Sequence, residues 1–186
     1  LSGGAGDDFI DGVWGDNTLV GGPGNDTIFG GADDLIDGGP GDDFIDGNDF
    51  DDHIDGGSGN DTLVGGLGSD TLDGGAGIDE VTYAYAVDAG VDGGVTVNLS
   101  DGVALDPNYG DTLANIENVT GSSYSDILIG DEGANVLSGG AGDDFIDGVW
   151  GDDFITGGPG NDHILGGADD HIDGGSGDDF IDGGGG

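Results

Sequence analysis

The sequence predicts an all-β solenoid built from 18-residue coils. Three observations predict it: a nine-residue pattern that repeats along nearly the whole chain, a large aliphatic residue at the next-to-last place of every copy, and turn-forming Gly and Asp at the places between. The copy Gly21 to Phe29, GGPGNDTIF, shows the pattern G-G-x-G-x-D-x-U-x, with U aliphatic. Its first six residues form a turn ending in a carboxylate and its last three a minimal strand. Two copies therefore close one coil, and the coils stack at the strand spacing of about 4.8 Å.

From Gly3 the copies run GGAGDDFID, GVWGDNTLV, GGPGNDTIF, the eight-residue GGADDLID, GGPGDDFID, GNDFDDHID, GGSGNDTLV, GGLGSDTLD and GGAGIDEVT, ending at Thr82. Their U positions are Ile10, Leu19, Ile28, Ile36, Ile45, Ile54, Leu63, Leu72 and Val81, all aliphatic. A flexible Gly/Asp linker has no reason to hold such a period, so compositional disorder does not describe the metal-loaded chain. Gly does not fall on every third residue, which excludes collagen.

Residues 83–111 break the phase. Val81, Tyr83 and Tyr85 alternate with Thr82, Ala84 and Ala86, and Val95, Val97 and Leu99 alternate with Thr96 and Asn98. This period of two predicts longer strands, each with one buried face, joined by turns at Gly93-Gly94 and around Pro107. The nonapeptide phase returns over 112–186, with U positions Val119, Leu128, Leu137, Ile146, Ile155, Ile164, Ile172 and Ile181. The expected organisation is thus a repeat block 1–82, an interrupting segment 83–111 and a second block 112–186.

Residues 1 to 50 match residues 137 to 186 at 39 of 50 positions, the eight-residue copy included. One 136-residue unit and the start of another are therefore present, as in a tandem array; a duplication within one domain explains the match almost as well. Leu1 and Gly186 both fall in mid-pattern, the expectation for a segment of something longer.

Composition removes several function classes. Forty-one acidic residues face no Lys and no Arg, a formal charge of -41. No ion pair to Lys or Arg can neutralise them, so cations must come from solution. Phosphate recognition rests on Lys and Arg, so no nucleic-acid partner is expected. No apolar run nears the ~20 residues that span a bilayer, so no membrane insertion is expected. With no Cys, there is neither a disulfide nor a thiolate metal site.

Position 6 carries the chemistry. In the first block, one edge of the solenoid collects Asp8, Asp26, Asp43, Asp61 and Asp79, and the other Asn17, Asp34, Asp52 and Asp70. In the second, the columns are Asp126, Asp144, Asp162 and Asp179, and Asn135, Asp153 and Asp170. Carboxylates ~4.8 Å apart repel by roughly 1 kcal/mol in water and roughly 3.5 kcal/mol at an effective dielectric of 20. A divalent cation between coils reverses that sign, and glycine turns let backbone carbonyls approach it. Oxygen-only ligands on flexible loops select Ca²⁺ over octahedral Mg²⁺, on the order of one ion per nonapeptide.

With this pattern the chain resembles the RTX calcium-binding β-roll family, whose nonapeptide is GGxGxDxUx; the resemblance covers the whole chain, and 111–144 is similar to the lead-in that often precedes such rolls. It implies a right-handed parallel β-roll, calcium between turns, secretion by a one-step bacterial pathway to the extracellular space or cell surface, and folding only in extracellular calcium. Carried over residue by residue, the sixteen position-6 residues named above are the metal ligands, completed by carbonyls of turn glycines. Departures weaken particular sites. Asn17 and Asn135 lack the charge, Phe50 replaces the position-4 Gly, and the eight-residue copies lack one turn residue before Asp34 and Asp170.

His53, His163 and His171 occupy position 7, pointing outward without convergence, so they are expected on the surface. Phe9, Phe44, Phe145, Phe154 and Phe180 share that position and form aromatic rows, either an interaction face or rings covered by their neighbours. Trp14 and Trp150 stand at position 3 of equivalent turns, packing over the turn in one reading and offering a lateral contact in the other. Repeated equivalent Asp is the opposite of the differentiated pair that acid/base catalysis needs, so no enzyme activity and no catalytic residue are expected. The expected role is a calcium-dependent structural scaffold of a secreted or surface protein (filament, surface layer or adhesin stalk), with self-association end to end or laterally. The alternative is the carboxy-terminal secretion and folding module of a secreted protease, lipase or alginate epimerase.

Overall fold

A computed structural model of the chain describes residues 1–85, 93–167 and 169–185; Ala86, the last residue of the predicted alternation, lies outside them. All regular elements among the described residues are strands, and no helix is long and apolar enough to cross a membrane. The fold is a parallel β-solenoid. Two compact units are present, residues 1–81 with 109–116, and residues 82–108 with 117–186.

In the first unit, odd copies supply one parallel sheet, Phe9–Asp11, Thr27–Phe29, Phe44–Asp46, Thr62–Val64 and Glu80–Thr82. Even copies supply the other, Asp16–Val20, Ala32–Pro40, His53–Ser58, Thr71–Asp73 and Gly110–Ala114. Register places U over U: Ile10 on Ile28, Ile28 on Ile45, Ile45 on Leu63 and Leu63 on Val81. The second sheet aligns Leu19, Ile36, Ile54, Leu72 and Leu113 in the same way. Two files of aliphatic side chains thus face each other in a core one residue wide per strand, and Leu19 through Leu72 are fully buried.

The second unit repeats this plan. Asn118–Thr120, Val136–Ser138, Phe154–Pro159 and His171–Ser176 form one sheet in that order, and Thr96–Asn98, Ile127–Ile129, Phe145–Asp147, His163–Gly167 and Phe180–Gly184 the other. Val119, Leu128, Leu137, Ile146, Ile155 and Ile164 are buried. Ile172 is half-buried and Ile181 exposed, because their strands end their sheets and no further coil lies over them.

Residues 83–111 differ from the expected longer strands. Thr96–Asn98 and Val103–Leu105 are three residues each and pair antiparallel. The buried-face alternation holds at Val95 and Val97, which are buried, and fails in the other stretch, where the strand ends at Thr82, Thr82 is buried and Tyr85 is exposed. Length is capped because Thr96–Asn98 also pairs in parallel with Ile127–Ile129, with Val97 on Leu128. It thereby serves as a three-residue roll strand.

Candidate calcium ladders

Most position-6 carboxylates are buried, and from Asp26 onward they clasp the coil before them. Asp26 Oδ1 accepts from the Asp8 N–H at 2.7 Å, Asp43 from Asp26 at 2.7 Å, Asp61 from Asp43 at 2.8 Å and Asp79 from Asp61 at 2.7 Å. The other edge runs from the Asn17 N–H to Asp34, then Asp52 and Asp70, at 2.5, 2.7 and 2.8 Å. In the second unit the Asp126, Asp144 and Asp162 N–H groups donate to Asp144, Asp162 and Asp179, and those of Asn135 and Asp153 to Asp153 and Asp170. The columns read from the nonapeptide phase are thus contiguous in space.

In most of these carboxylates one oxygen is satisfied by the clasp and the other is stranded. Oδ2 of Asp8, Asp26, Asp34, Asp43, Asp52, Asp61, Asp70, Asp144, Asp153, Asp162 and Asp170 is buried with no hydrogen-bond partner. An unpaired buried carboxylate oxygen is costly, so a row of them calls for a cation. Burial accordingly pushes these groups toward the protonated form: Asp52 up to about 8, Asp70 to about 7, and Asp61, Asp144 and Asp153 to about 6, with neighbouring carboxylates adding to the shift.

The space beside Oδ2 is held open by the first glycine of each copy. A Cβ on Gly56 would lie 2.6 Å from Asp61 Oδ2 and 2.8 Å from the Gly74 carbonyl oxygen of the next coil. The stranded carboxylate oxygen and a neighbouring carbonyl therefore flank the same glycine face, a donor set suited to a hard cation. Asn17 shows what such a place accepts. Its Nδ2 donates to the carbonyls of Gly12, Trp14 and Gly15 at 3.4, 3.4 and 2.5 Å, so turn carbonyls converge on one donor group of the position-6 side chain.

Three predicted ligands have other protein partners. Asn17 directs its amide into the turn, and Asn135 Nδ2 donates to the Glu117 carbonyl at 2.8 Å while its Oδ1 accepts from the Asp131 N–H. Asp126 is fully engaged: Oδ1 takes the Val95 N–H and the Ser122 hydroxyl, and Oδ2 the Ser122 N–H. Here Ser122 stands in place of the second glycine. By contrast, Asp34 and Asp170 of the eight-residue copies keep their stranded oxygens. Among the described residues no group of three or more His, Cys, Asp or Glu side chains gathers into a metal cluster; the position-6 carboxylates lie in files instead.

Two acidic roles escaped the pattern. Asp111 Oδ1 accepts from the Asp70 N–H at 3.0 Å and extends that column; its signal was the run Asp111-Thr112-Leu113, a D-x-U placed against the phase boundary. Position 5, written as x, forms an outer ladder of opposite sense. Asp7 accepts from the Asn25 N–H, Asn25 from Asp42, Asp42 from Asn60 and Asn60 from Ile78. Its signal was that Asp, Asn or Ser fills nearly every position 5. Position-9 carboxylates cap turns instead, as Asp46 does for the Asn48 N–H at 3.0 Å.

The surface residues also find places. His163 lies between the rings of Phe145 and Phe180, at centroid distances of 5.3 and 4.6 Å, and His171 stacks on Phe154 at 4.7 Å. Trp14 and Trp150 do not pack over their turns; they are 86% and 65% exposed.

Together, a parallel solenoid and files of half-satisfied buried carboxylates define a metal-binding β-roll. The chain matches the model of the RTX calcium-binding nonapeptide repeat (4 copies) over residues 1–19, 11–45, 32–52, 46–81, 120–155, 147–170 and 156–186, and it belongs to that family. No curated protein matches it significantly.

Gly56→Ala tests the cradle. Overpacking at such a contact costs about 1–3 kcal/mol, so the calcium concentration for half-folding should rise clearly. Gly183→Ala, whose Cβ meets nothing, should leave it unchanged. Equal midpoints for both variants in a calcium titration followed by circular dichroism would refute the cradle.

Proposed function

We propose that the chain is a calcium-rigidified structural scaffold of a secreted or cell-surface protein, and not an enzyme. The observation that carries this reading is the file of stranded Oδ2 atoms on buried carboxylates, repeated coil after coil. Calcium, on the order of one ion per nonapeptide, bridges Asp8, Asp26, Asp34, Asp43, Asp52, Asp61, Asp70 and Asp79 in the first block and Asp144, Asp153, Asp162, Asp170 and Asp179 in the second. Asn17, Asn135 and Asp126 contribute weak sites, since their own protein partners compete with the ion. The chain is organised as a repeat block 1–82, an interrupting segment 83–111 and a second repeat block 112–186, and the 136-residue unit is the length that is copied.

Calcium-dependent folding suits export, because a chain that stays unfolded at low calcium can cross a membrane before it folds. A secretion route and an extracellular location follow from that reading. Electron microscopy of the calcium-loaded protein tests the scaffold role: fibres or arrays are expected. A compact, monodisperse particle at all concentrations would overturn it in favour of a folding module attached to a secreted enzyme.

A further inference from the structure

The eight-residue copy at Gly30 leaves a gap in the turns of the first unit. Its missing residue shortens the turn between two full ones, so Gly30 and Gly31 form a floor while Trp14 stands on one side and Asp49 on the other. The turns bearing Trp14 and Asp49 are two coils apart, roughly 9.5 Å at the usual strand spacing. Asp11 and Phe29 complete an open groove of about 380 Å³.

Trp14 is set in place at a cost. Val13, a β-branched residue, has φ 63°, in the left-handed region that such residues avoid. Asp11 Oδ1 holds that turn by accepting from the Val13 N–H at 3.0 Å, and the Trp14 N–H donates to the Gly12 carbonyl at 2.8 Å. Across the floor, Asn48 Nδ2 donates to the Gly30 carbonyl at 3.3 Å. The turn that carries the 86% exposed indole is thus held by its own backbone hydrogen bonds.

We propose that this groove binds an organic cation, an alkylammonium or guanidinium group, between the Trp14 and Phe29 rings and the Asp11 and Asp49 carboxylates. Aromatic faces attract such cations, whereas a hydrated metal ion gains little from them. The chain has no Lys or Arg of its own to fill the groove, and its charge of -41 concentrates cations at the surface. The ligand comes either from a free quaternary ammonium solute or from a Lys or Arg side chain of a partner protein.

The duplicated turn supplies a control inside the same chain. Val149 repeats the strained conformation with φ 72° and Trp150 is again exposed, at 65%. At the places of Phe29, Asn48 and Asp49, however, stand Leu165, Gly184 and Gly185. One wall of the groove is therefore missing there, and Trp150 should bind no cation.

Because Trp14 and Trp150 are the only tryptophans, Trp150→Phe and Trp14→Phe each leave one fluorescent reporter. In calcium-loaded protein at constant ionic strength, choline, N-acetyl-lysine amide and N-acetyl-arginine amide should change Trp14 emission saturably and leave Trp150 emission unchanged. Stronger binding of choline assigns a free solute, and stronger binding of the amino-acid amides a partner side chain. Asp49→Asn should weaken binding roughly threefold to tenfold, the range of a part-exposed ion–aromatic or ion–carboxylate contact. Saturation-transfer NMR on the choline methyl protons with the unsubstituted chain gives the same readout without substitution. No saturable response, an equal response at Trp150, or an equal response to methyl glucoside would overturn the proposal.

Discussion

At neutral pH, chain stripped of calcium is expected to give the circular dichroism of an unfolded polypeptide, and excess calcium to convert it to a β spectrum. The cause lies in the ladders. The stranded oxygens of Asp26, Asp43 and Asp61 stack in one column with no Lys or Arg anywhere to offset them. Each neighbouring pair of charges repels by roughly 3.5 kcal/mol at an effective dielectric of 20, and the core beneath is one aliphatic residue per strand. Against a usual net stability of ~5 to 15 kcal/mol, several such pairs suffice to unfold the chain. Each calcium at ten times its Kd contributes about 1.4 kcal/mol by mass action as well as removing the repulsion. A strong β signal with calcium chelated at neutral pH would refute this account.

Acid is expected to substitute in part for calcium. Asp52, Asp70 and Asp61 have an ordinary value of 3.8, and in the metal-free fold burial raises them to about 8, 7 and 6. A raised value means that the folded state binds protons which the unfolded state has released. The stabilisation from each group is therefore fully present below about pH 4 and is lost as pH rises through the folded value. Metal-free chain should gain β structure as pH falls from about 8 toward 5, at low protein concentration because the sequence pI is about 4.1.

Calcium binds the ionised carboxylates, so its apparent affinity should fall as pH drops through this window, and its binding to the acid-folded chain near pH 5 should release protons. Circular dichroism of resin-treated protein against pH, with calcium titrations in weak buffer, checks both. A loss of β signal on acidification, or calcium binding to the acid-folded chain without proton release, would sink the assignment of these carboxylates to the ion sites.

The roll was legible because its period is short and its two key positions are chemically unlike their neighbours. Ile28 and Asp26 can be placed from sequence because an aliphatic in a Gly/Asp background has only a core to enter and a periodic carboxylate only a column to join. Asp111 and Val97 were less legible. Each serves a roll position from inside a segment without the nine-residue phase, and only the pairing of Leu113 on Leu72 and Val97 on Leu128 reveals it. Asp126 read like every other ligand, yet Ser122 two glycine places away takes both its oxygens. The outer ladder was hidden for another reason: Asp, Asn and Ser are interchangeable there as acceptors, so the position looks variable while its chemistry is constant.

The opposed senses of the two ladders bear on how such chains change length. Where Asp26 and Asp43 meet, the position-6 side chain reaches one coil backward in sequence and the position-5 side chain receives from one coil forward. An interface of this kind carries both halves of its own fastening. Removing or adding a whole 18-residue coil brings matching halves together again, whereas a nine-residue change sends each column to the opposite sheet. Unequal recombination within the gene can thus alter copy number in steps of one coil with no compensating mutation, and length becomes the trait that evolution adjusts most freely.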